Sequence, residues 1–513
     1  MILRLLLFIT FEMYLYLIAL FVLWITYIIW KNYSLPPGPW GIPIFGYLPW
    51  MDPKNPYITL TNLSKKYGSI YGLNLGSVYT VVLTNPKTIK SVFSINATTG
   101  RAPLYLTHGI MEGNGLICAE GEVWKEHRRF TFNCIRQLGG AKVGPQRKKM
   151  ETLILNHAID FIKYLDLEED GREVDIFPGL RHSLGSAVYL IVFGKSWSRD
   201  DDLWKYLLYL QEEGPKYMGI AGPLNFLPFL RFFPKYQKIM SFIKSGQTKS
   251  HNLYKDLIDE QAQLLKKQAT ATITTNGIPS NDSAIGHNVI QCFLLEKEKK
   301  SPEFAEKLYH EKQCLHLLAD IFGAGLDTSL TSLRWHFLYL AKNPSVQDEI
   351  RKEINDVLHD RLPTMDDIEM LPLLEASILE AMRIRPVVPV GLPHGTLEDI
   401  DIDGYKIPKG TMVMSLLWAL HMDENAWKNP EEFNPKRFIN EEGKVEKNDY
   451  FMPFQTGKRM CVGDELARMF QFLFSATILQ KFSFSLRDEN FDTWGECGIT
   501  LTPVDHKFII KKV

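Results

Sequence analysis

The sequence predicts a mainly helical fold with a minor β region, preceded by an N-terminal transmembrane helix. Amphipathic patterns of helical period fill most of the chain from about residue 123 onward. Short runs rich in β-branched and aromatic residues, at 77–83 and within 387–417, indicate a smaller amount of β structure. The uncharged run MYLYLIALFVLWITYIIW occupies residues 13–30. With the apolar residues before it, this run is long enough to cross a bilayer about 30 Å thick.

Bulk composition limits the class of protein without naming a function. The chain has 513 residues, of which 45% are hydrophobic, so it can bury a large core. The net charge of −1 gives no electrostatic reason to expect a nucleic-acid partner. We predict three parts, namely a membrane anchor over residues 1–31, a proline-rich connector over 32–50 and a single domain over 51–513.

A cleaved signal peptide is the alternative to a retained anchor. Signal peptides have an apolar region of about 7–15 residues that ends in a small-residue cleavage site. The run here is longer, and bulky residues follow it, so we expect a retained anchor. Lys31, Lys54, Lys65 and Lys66 follow the span and favour a cytosolic body, although Arg4 on the other side argues against that orientation.

Two other segments allow more than one interpretation. Residues 35–46, LPPGPWGIPIFG, contain four prolines and three glycines, which exclude a helix or a central strand. They form either an ordinary linker or a rigid spacer between anchor and body. Residues 218–234, MGIAGPLNFLPFLRFFP, form either a buried loop or a second membrane contact.

Capping and turn residues define the later elements. Ser301-Pro302-Glu303 predicts the start of a helix that continues to residue 341, about 40 residues in all. Further helices are predicted over 372–385, where Pro386 ends the pattern, and over 464–480. Asp403-Gly404 predicts a hairpin turn.

One cysteine lies in an unusual setting, FQTGKRMCVGDELAR, residues 454–468. Cys461 precedes a helix, where free N–H groups and the helix dipole favour a thiolate. Gly463 lets a flat group approach the backbone, and Arg459 supplies a nearby cation. By itself, Cys461 would more often be a buried structural thiol.

The spacing Phe454-x-x-Gly457-x-Arg459-x-Cys461-x-Gly463 resembles the haem-binding signature of the cytochrome P450 haem-thiolate monooxygenases. This resemblance implies the cytochrome P450 fold, haem b as cofactor and a haem-thiolate catalytic domain over residues 51–513. It also implies that Cys461 is the axial ligand of the haem iron, through a thiolate that donates electron density and favours O–O cleavage.

A second motif lies within the long predicted helix, at Ala324-Gly325-Leu326-Asp327-Thr328-Ser329. Small residues there can serve helix packing, or they can admit a flat cofactor against the helix. The motif resembles the oxygen-activation motif of the same family. The resemblance implies that Ala324 and Gly325 contact the cofactor and that Asp327 and Thr328 are catalytic, through proton delivery.

Two charged motifs complete the resemblance. Glu380-x-x-Arg383 would be a surface ion pair in most proteins. Together with Arg437, however, it resembles the structural Glu-Arg-Arg cluster of the family, which fixes the cysteine loop. Trp124 and Arg128 lie on one helical face, and both can bind a carboxylate. The resemblance implies that this pair binds a haem propionate, with Arg459 and His394 as further propionate contacts.

The expected pocket and partners follow from apolar and basic residues. By family position the pocket walls are the apolar residues Val388, Val390, Leu392 and Ile499, so the substrate should be small and lipophilic. A basic stretch over residues 122–149 is either a solvated face or a docking surface for an acidic electron donor. Its charged residues are Lys125, Arg128, Arg129, Arg136, Lys142, Arg147, Lys148 and Lys149, against Glu122 and Glu126.

By resemblance, the donor is the NADPH–cytochrome P450 reductase, with cytochrome b5 as a second candidate. The sequence contains no Gly-x-Gly-x-x-Gly fingerprint, so NADPH is expected to act only through the reductase. The expected location is the endoplasmic reticulum membrane, with a single span and a cytosolic catalytic domain.

The expected reaction inserts one oxygen atom from O2 into a xenobiotic, steroid or fatty-acid-like compound. One alternative is a haem-thiolate isomerase or lyase, which needs no proton relay, so that Asp327-Thr328 argues against it. The others are a haem-binding protein without turnover and a secreted disulfide protein. The six cysteines are even in number, as in the secreted class, but they are sparse for a disulfide-rich scaffold.

Overall fold

The predicted anchor lies almost entirely outside the part of the chain that can be described. The computed structural model describes residues 34–217, 222–274, 287–488 and 491–513, together with Met13, Tyr16, Ile18 and Ala19. Within these residues, no helix is both long enough and apolar enough to span a membrane.

Helices dominate the described residues, which confirms the predicted fold class. The α-helices are α1 (Pro56–Tyr67), α2 (Pro86–Ser94), α3 (Gly121–Leu138), α4 (Arg147–Asp166), α5 (Phe177–Phe193), α6 (Asp202–Tyr217), α7 (Pro223–Phe226), α8 (Pro234–Thr274), α9 (Val289–Glu298), α10 (Pro302–Leu308), α11 (Glu311–Lys342), α12 (Pro344–Leu358), α13 (Pro372–Ile384), α14 (Leu417–His421) and α15 (Asp464–Leu479). Two predicted helices, over 372–385 and 464–480, are confirmed as α13 and α15.

The β structure is minor, as predicted. The strands are β1 (Ile70–Leu75), β2 (Val78–Leu83), β3 (Gly100–Arg101), β4 (Glu173–Val174), β5 (His394–Gly395), β6 (Ile400–Ile402), β7 (Tyr405–Ile407), β8 (Met412–Ser415), β9 (Phe482–Ser485), β10 (Glu496–Cys497), β11 (Leu501–Thr502) and β12 (Phe508–Lys512). The largest sheet has the order β1-β2-β8-β5-β3, and a smaller one has the order β4-β12-β9. The predicted turn at Asp403-Gly404 joins β6 to β7, and both residues adopt positive φ, at 49° and 90°.

The helix predicted over residues 301–341 is wrong as a single element, since it is divided into α10 and α11. The chain leaves helical geometry at Tyr309 and His310. Nδ1 of His310 accepts the N–H of Gln313, at 3.1 Å, and so caps a new helix. The buried Tyr309 hydroxyl donates to Glu126 of α3, at 2.8 Å. The interruption therefore anchors the start of α11 to α3.

Helix α11 has 32 residues and runs through the centre of the hydrophobic core. At 1.5 Å per residue it is about 48 Å long. Helix α15 packs against it, and the side-chain amide of Gln471 donates to the carbonyl of Ser329, at 2.8 Å. Since Cys461 precedes α15 directly, this packing brings the cysteine loop towards the middle of α11.

The described part of the connector is attached to the body. The N–H of Gly72 donates to the carbonyl of Pro37, at 2.9 Å, and the N–H of Tyr47 donates to that of Asn74, at 2.7 Å. Residues 34–50 therefore lie along β1 and its turn. This attachment favours the rigid spacer over an independent linker.

The apolar segment predicted over 218–234 has two different halves, and residues 218–221 lie outside the described residues. Its first described part, Leu224 to Leu227, is buried. The second part presents aromatic rings to solvent. The exposed fractions are 41% for Phe229, 67% for Phe232 and 54% for Phe233. The buried-loop interpretation therefore holds for only the first half.

Candidate functional site

The cysteine loop, residues 454–463, packs closely against α2 because residue 457 is a glycine. Gly457 has φ of 78°, and a Cβ at this position would lie 2.1 Å from the carbonyl oxygen of Phe93. A side chain here would therefore displace the loop. After this turn, the N–H of Cys461 donates to the carbonyl of Phe454, at 3.1 Å, which fixes the cysteine backbone.

The Cys461 thiol faces open space inside the protein. Its side chain has accessible surface, but protein surrounds it on all sides. This burial raises the pKa of the thiol. The N–H of Gly463 lies 3.4 Å from the sulfur, and Arg128 is also near; both lower that pKa. Burial has the larger effect on the pKa, while the N–H of Gly463 at the helix start acts in the direction expected from the sequence. A metal ion would deprotonate the thiol by coordination. A Cβ at Gly463 would meet no atom within 4 Å, which leaves room beside the sulfur.

One face of α11, which carries Ala324 and Thr328, is accessible rather than packed. Ala324 is exposed although it lies midway along a core helix, and Thr328, one turn later, is partly exposed. The Thr328 hydroxyl donates to the carbonyl of Ala324, at 2.6 Å. Gly325 lies elsewhere, because a Cβ there would approach Val188 of α5 at 3.4 Å. Gly325 therefore faces α5, where a Cβ would make an ordinary van der Waals contact.

Asp327 lies on the neighbouring face of α11. Its Oδ2 accepts the Thr500 hydroxyl, at 2.9 Å. Burial raises the pKa of Asp327 to about 6, while the hydrogen bond from Thr500 and the charge of Arg334 lower it. Asp327, Thr331 and Arg334 line a cavity of about 280 Å³ whose other walls include Asp505. Asp327 therefore stands between a polar cavity and the Thr328 face.

The predicted carboxylate-binding residues meet at the cysteine loop. The indole of Trp124 is buried, with the guanidinium carbon of Arg459 4.6 Å from its ring centroid. Arg128 lies 5.9 Å from the same ring and donates to the carbonyl of Met460, at 2.7 Å. Helix α3 and the cysteine loop thus bring together residues that are more than 300 positions apart.

Arg101 is a site residue that sequence reasoning missed. Its Nε donates to the carbonyl of Ile117, at 2.6 Å, and Arg459 donates to the carbonyls of Thr99 and Ala119. Burial lowers the pKa of Arg101 to about 10 and that of Arg459 to about 8. The only available signal was an isolated Arg in the short Gly-Arg-Ala-Pro sequence.

His394 adds a buried nitrogen to this cluster. Its ring stacks on Phe93, with centroids 3.8 Å apart, and its Nδ1 lies 2.8 Å from the carbonyl of Thr98. Nε2 is buried without a hydrogen-bond partner among the described residues. Burial, followed by the charge of Arg101, holds the pKa of His394 well below its usual range. A carboxylate beside Nε2 would raise the pKa of His394, against the lowering by burial and by Arg101.

These residues fit a haem group. Arg101, Arg128 and Arg459 are three cations that form no ion pair with a carboxylate among the described residues. Buried charges require partners, and the two propionates of haem b would supply them. The accessible Cys461 sulfur and the open Ala324 face provide a ligand and a wall for a flat group. The donor set is therefore that of a thiolate-ligated porphyrin.

The predicted Glu-Arg-Arg cluster is assembled and buried. Arg383 donates two hydrogen bonds to Glu380, at 2.7 and 2.9 Å, and Arg437 donates a third, at 2.9 Å. The side chains of Glu380 and Arg383 have no exposed area. The N–H of Asn434 also donates to Glu380, at 2.9 Å. Oε1 of Glu380 thus has partners on two separate segments, while Oε2 accepts only from Arg383 in the part of the chain that the structure describes.

Hydrogen bonds link this cluster to the cysteine loop. Arg383 donates to the carbonyl of His421, at 2.7 Å, and Nε2 of His421 accepts the N–H of Met452, at 3.1 Å. The carbonyl of Met452 then accepts the N–H of Gln455, at 3.0 Å. The cluster therefore reaches the residues just before Gly457 through the carbonyl and the imidazole of His421.

The expected pocket residues differ in exposure. Val388, Leu392 and Ile499 are partly exposed, whereas Val390 is packed in the hydrophobic core. Ile499 lies in the turn between β10 and β11, next to Thr500. Three of the four residues can therefore face a cavity, and the fourth supports them.

The basic stretch has two kinds of cation. Arg147 is partly buried and pairs with Glu151 and Glu465, at 3.1 Å each, and Arg129 pairs with Glu126, at 2.6 Å. These charges are already neutralised, and Arg128 faces the cysteine loop. The remaining cations of the stretch are exposed, namely Lys125, Arg136, Lys142, Lys148 and Lys149. All six cysteines lie among the described residues, and none forms a disulfide.

The helical fold and this donor set define a haem-thiolate oxidoreductase. The family model for cytochrome P450 matches residues 36–510, so the chain belongs to the cytochrome P450 family, whose members are monooxygenases. It is 38% identical to cytochrome P450 306a1 of Drosophila melanogaster, over 93% of this chain and 89% of that protein. It is 33% identical to cytochrome P450 18a1 of the same species, over 94% and 88%. Identity to cytochrome P450 2K4 of Oncorhynchus mykiss is 31%, over 92% and 90%.

Proposed function

We propose that this protein inserts one oxygen atom from O2 into a small lipophilic substrate, with electrons from NADPH delivered by a flavoprotein reductase. The observation that carries the proposal is an accessible Cys461 sulfur beside buried, unpaired arginines. When bound, haem would supply the iron that activates oxygen, with Cys461 as its axial ligand. Trp124, Arg128, Arg459 and His394, together with Arg101, would hold the propionates.

The described residues have separate roles in this proposal. Ala324 would form a wall against the cofactor, and the hydroxyl of Thr328 would lie on the same face. Asp327 would carry protons between the polar cavity and Thr328, because its pKa of about 6 lets it gain and lose a proton near neutral pH. Gly325, which was expected to contact the cofactor, would instead face α5.

The substrate class rests on the apolar walls. Val388, Leu392 and Ile499 would contact the substrate, and burial contributes about 25 cal/mol per Å² of apolar surface. Xenobiotics, steroids and fatty-acid-like compounds all fit this description. A spectral binding screen over these three classes, with the haem-loaded protein, would identify the preferred one.

The electron donor would be the NADPH–cytochrome P450 reductase, with cytochrome b5 as a second donor. The exposed cations of the basic stretch support docking of an acidic partner on the side of α3. The proposed location is the endoplasmic reticulum membrane, with residues 1–31 as a single anchor and residues 51–513 in the cytosol. Exposed aromatic rings at Phe229, Phe232 and Phe233 support a second contact with the membrane.

A reconstituted system tests the reaction and its alternatives. Haem-loaded protein, reductase and substrate should consume NADPH and oxygen in step with product. Product without NADPH would indicate the isomerase or lyase, which the Asp327-Thr328 pair argues against because such enzymes need no proton relay. No product from any substrate that gives a binding spectrum would indicate a haem-binding protein without turnover.

A further inference from the structure

Two cysteines outside the cofactor site contact each other between α3 and α9. The Cys134 thiol donates a hydrogen bond to the sulfur of Cys292. Nearby, the rings of Phe130 and Phe293 meet edge to face, with centroids 5.7 Å apart. The two helices are therefore packed together near the two sulfurs, which lie within hydrogen-bond reach of each other.

Both cysteines line a small surface pocket. The pocket has a volume of about 70 Å³, and its walls include the exposed residues Arg129 and Lys299. A cavity needs roughly 10–15 Å³ of this kind of volume to hold one water molecule, so the pocket has room for a small oxidant such as hydrogen peroxide.

The two sulfurs differ in reactivity. The hydrogen bond from Cys134 lowers the pKa of Cys292, and the charge of Lys299 lowers it further. Cys292 also lies in the first turn of α9, where the helix dipole favours a thiolate. The same hydrogen bond, followed by burial, raises the pKa of Cys134. Cys292 is thus suited to attack first and Cys134 to follow.

The other cysteines besides Cys461 lack this arrangement. Burial raises the pKa of Cys118, Cys314 and Cys497 to about 12 in each case. The thiolate is the reactive form of cysteine, so these three should be inert under mild conditions. They provide internal controls within the same chain.

We propose that Cys134 and Cys292 form a reversible intramolecular disulfide when the protein meets hydrogen peroxide. The Cys292 thiolate attacks one peroxide oxygen, the O–O bond breaks, and the departing hydroxide takes up a proton to become water. This leaves a sulfenic acid on Cys292. The Cys134 sulfur then attacks the Cys292 sulfur, the S–O bond breaks, and a second water leaves with the Cys134 proton. Two thiols are oxidised by two electrons, and one peroxide is reduced to two waters.

The disulfide would restrain a helix that serves the cofactor site. Helix α3 carries Trp124 and Arg128 towards its N-terminal end and Cys134 towards its C-terminal end. A covalent link to α9 would fix the C-terminal end of α3 and leave Cys461 untouched. The oxidised protein should therefore keep its haem and unfold at a higher temperature than the reduced protein.

Peptide mapping of the haem-loaded full chain tests the proposal. The protein is treated with stoichiometric hydrogen peroxide, quenched with catalase, alkylated under denaturing conditions and digested. The expected product is a peptide pair joined through Cys134 and Cys292, lighter than the two thiols by two hydrogens and released by dithiothreitol. Alkylation of both residues after peroxide treatment would overturn the proposal, and so would equal oxidation of Cys118, Cys314 and Cys497.

Variants test the order of attack. In Cys134→Ser, Cys292 should stop at the sulfenic acid, which dimedone traps. In Cys292→Ser, Cys134 should remain a thiol at the same peroxide dose. Cys314→Ser is the matched control, since it removes a buried cysteine and should leave the Cys134–Cys292 link intact. A dimedone adduct on Cys134 but not on Cys292 would refute the assigned roles.

Discussion

At the residue scale, the assignment depends on the sulfur of Cys461. Replacement of this sulfur by oxygen in Cys461→Ser removes the thiolate that the proposed iron ligand requires. We expect the reduced, carbon-monoxide-treated variant to lack the absorption band at about 450 nm that the wild type should show, and turnover to cease. Cys497→Ser is the control, since it changes a partly buried cysteine that is not in the cysteine loop and should keep the band.

Asp327 should make the stability of the protein depend on pH. Its folded pKa, about 6, lies above the ordinary value of 3.8 because of burial. The folded state favours the protonated carboxyl. The stability that protonated Asp327 contributes is therefore fully present below about pH 4, and it is lost as the pH rises through about 6. Asp327→Asn should therefore increase the free energy of unfolding by up to about 3 kcal/mol at pH 7 and by little at pH 3.5. Urea unfolding of both proteins across this range measures the difference, and an equal effect at both pH values would contradict it.

Thr500 should set the pKa of the same carboxyl group, that of Asp327. Its hydroxyl hydrogen bond lowers the pKa of Asp327, so Thr500→Val should raise that pKa further. If ionised Asp327 relays protons, the acid limb of the pH–rate profile will move to higher pH. Thr502→Val is a matched control on the same hairpin, because the Thr502 hydroxyl contacts the carbonyl of Glu496 instead. Equal profiles for the two variants would argue against the role of Thr500.

The residues predicted from the sequence were those that belong to spaced motifs. Cys461, Arg459, Trp124 and Arg128 could be found because each has a partner at fixed spacing. Arg101 could not, because its acceptors are carbonyls that only the folded chain brings near. Gly325 shows the converse, since a glycine in a motif does not reveal which neighbour it faces.

At the element scale, the Glu-Arg-Arg cluster of Glu380, Arg383 and Arg437 should be essential for the position of the cysteine loop. Glu380→Gln would leave Arg383 and Arg437 without their carboxylate, and breaking a buried pair costs about 3–5 kcal/mol. We expect a large loss of stability and of haem content, measured by urea unfolding and by absorbance.

An exposed ion pair provides the comparison for that prediction. Glu349 contacts Lys436, at 2.7 Å, and both side chains are at least half exposed. Glu349→Gln should cost less than about 1 kcal/mol, because solvent screens such pairs. Similar losses for the Glu349 and Glu380 variants would mean that the buried cluster contributes no more than a surface contact.

The division between α10 and α11 shows what helical periodicity cannot reveal. The apolar pattern continues across Tyr309 and His310, and neither residue is a glycine or a proline. The break depends on contacts with α3, where Glu126 accepts the Tyr309 hydroxyl and His127 lies within 2.6 Å of the carbonyl of Leu308. The starts of α13 and α15 were predictable because a proline and an acidic first turn mark them locally.

At the scale of the whole molecule, the basic stretch should control the rate of electron delivery. Reversal of two exposed charges, in Lys142→Glu/Lys148→Glu, should slow reductase association about tenfold at low salt. The effect should shrink as salt is added. Reduction rates at two ionic strengths measure it, with Lys444→Glu as a charge-matched control outside the stretch. A deficit that does not respond to salt would point to a folding defect.

The exposed aromatic rings of residues 228–233 should enter a lipid surface. The turn at Gly76 and Ser77 contacts both Phe45 of the connector and Phe226, so the connector and this segment lie together. Hydrogen exchange of the full chain should be slower at 228–233 in lipid nanodiscs than in detergent. The exposed loop at residues 440–446 should show no such change, and equal rates for 228–233 would exclude a membrane contact.

The arginines around the cysteine loop have a consequence for the life of the newly made chain. Arg101 and Arg459 are buried, and neither has a carboxylate partner among the described residues. Until an anion arrives, their mutual repulsion opposes closure of this region, so binding of the prosthetic group should stabilise the folded state. A cell short of porphyrin would therefore degrade this polypeptide instead of storing it for later use.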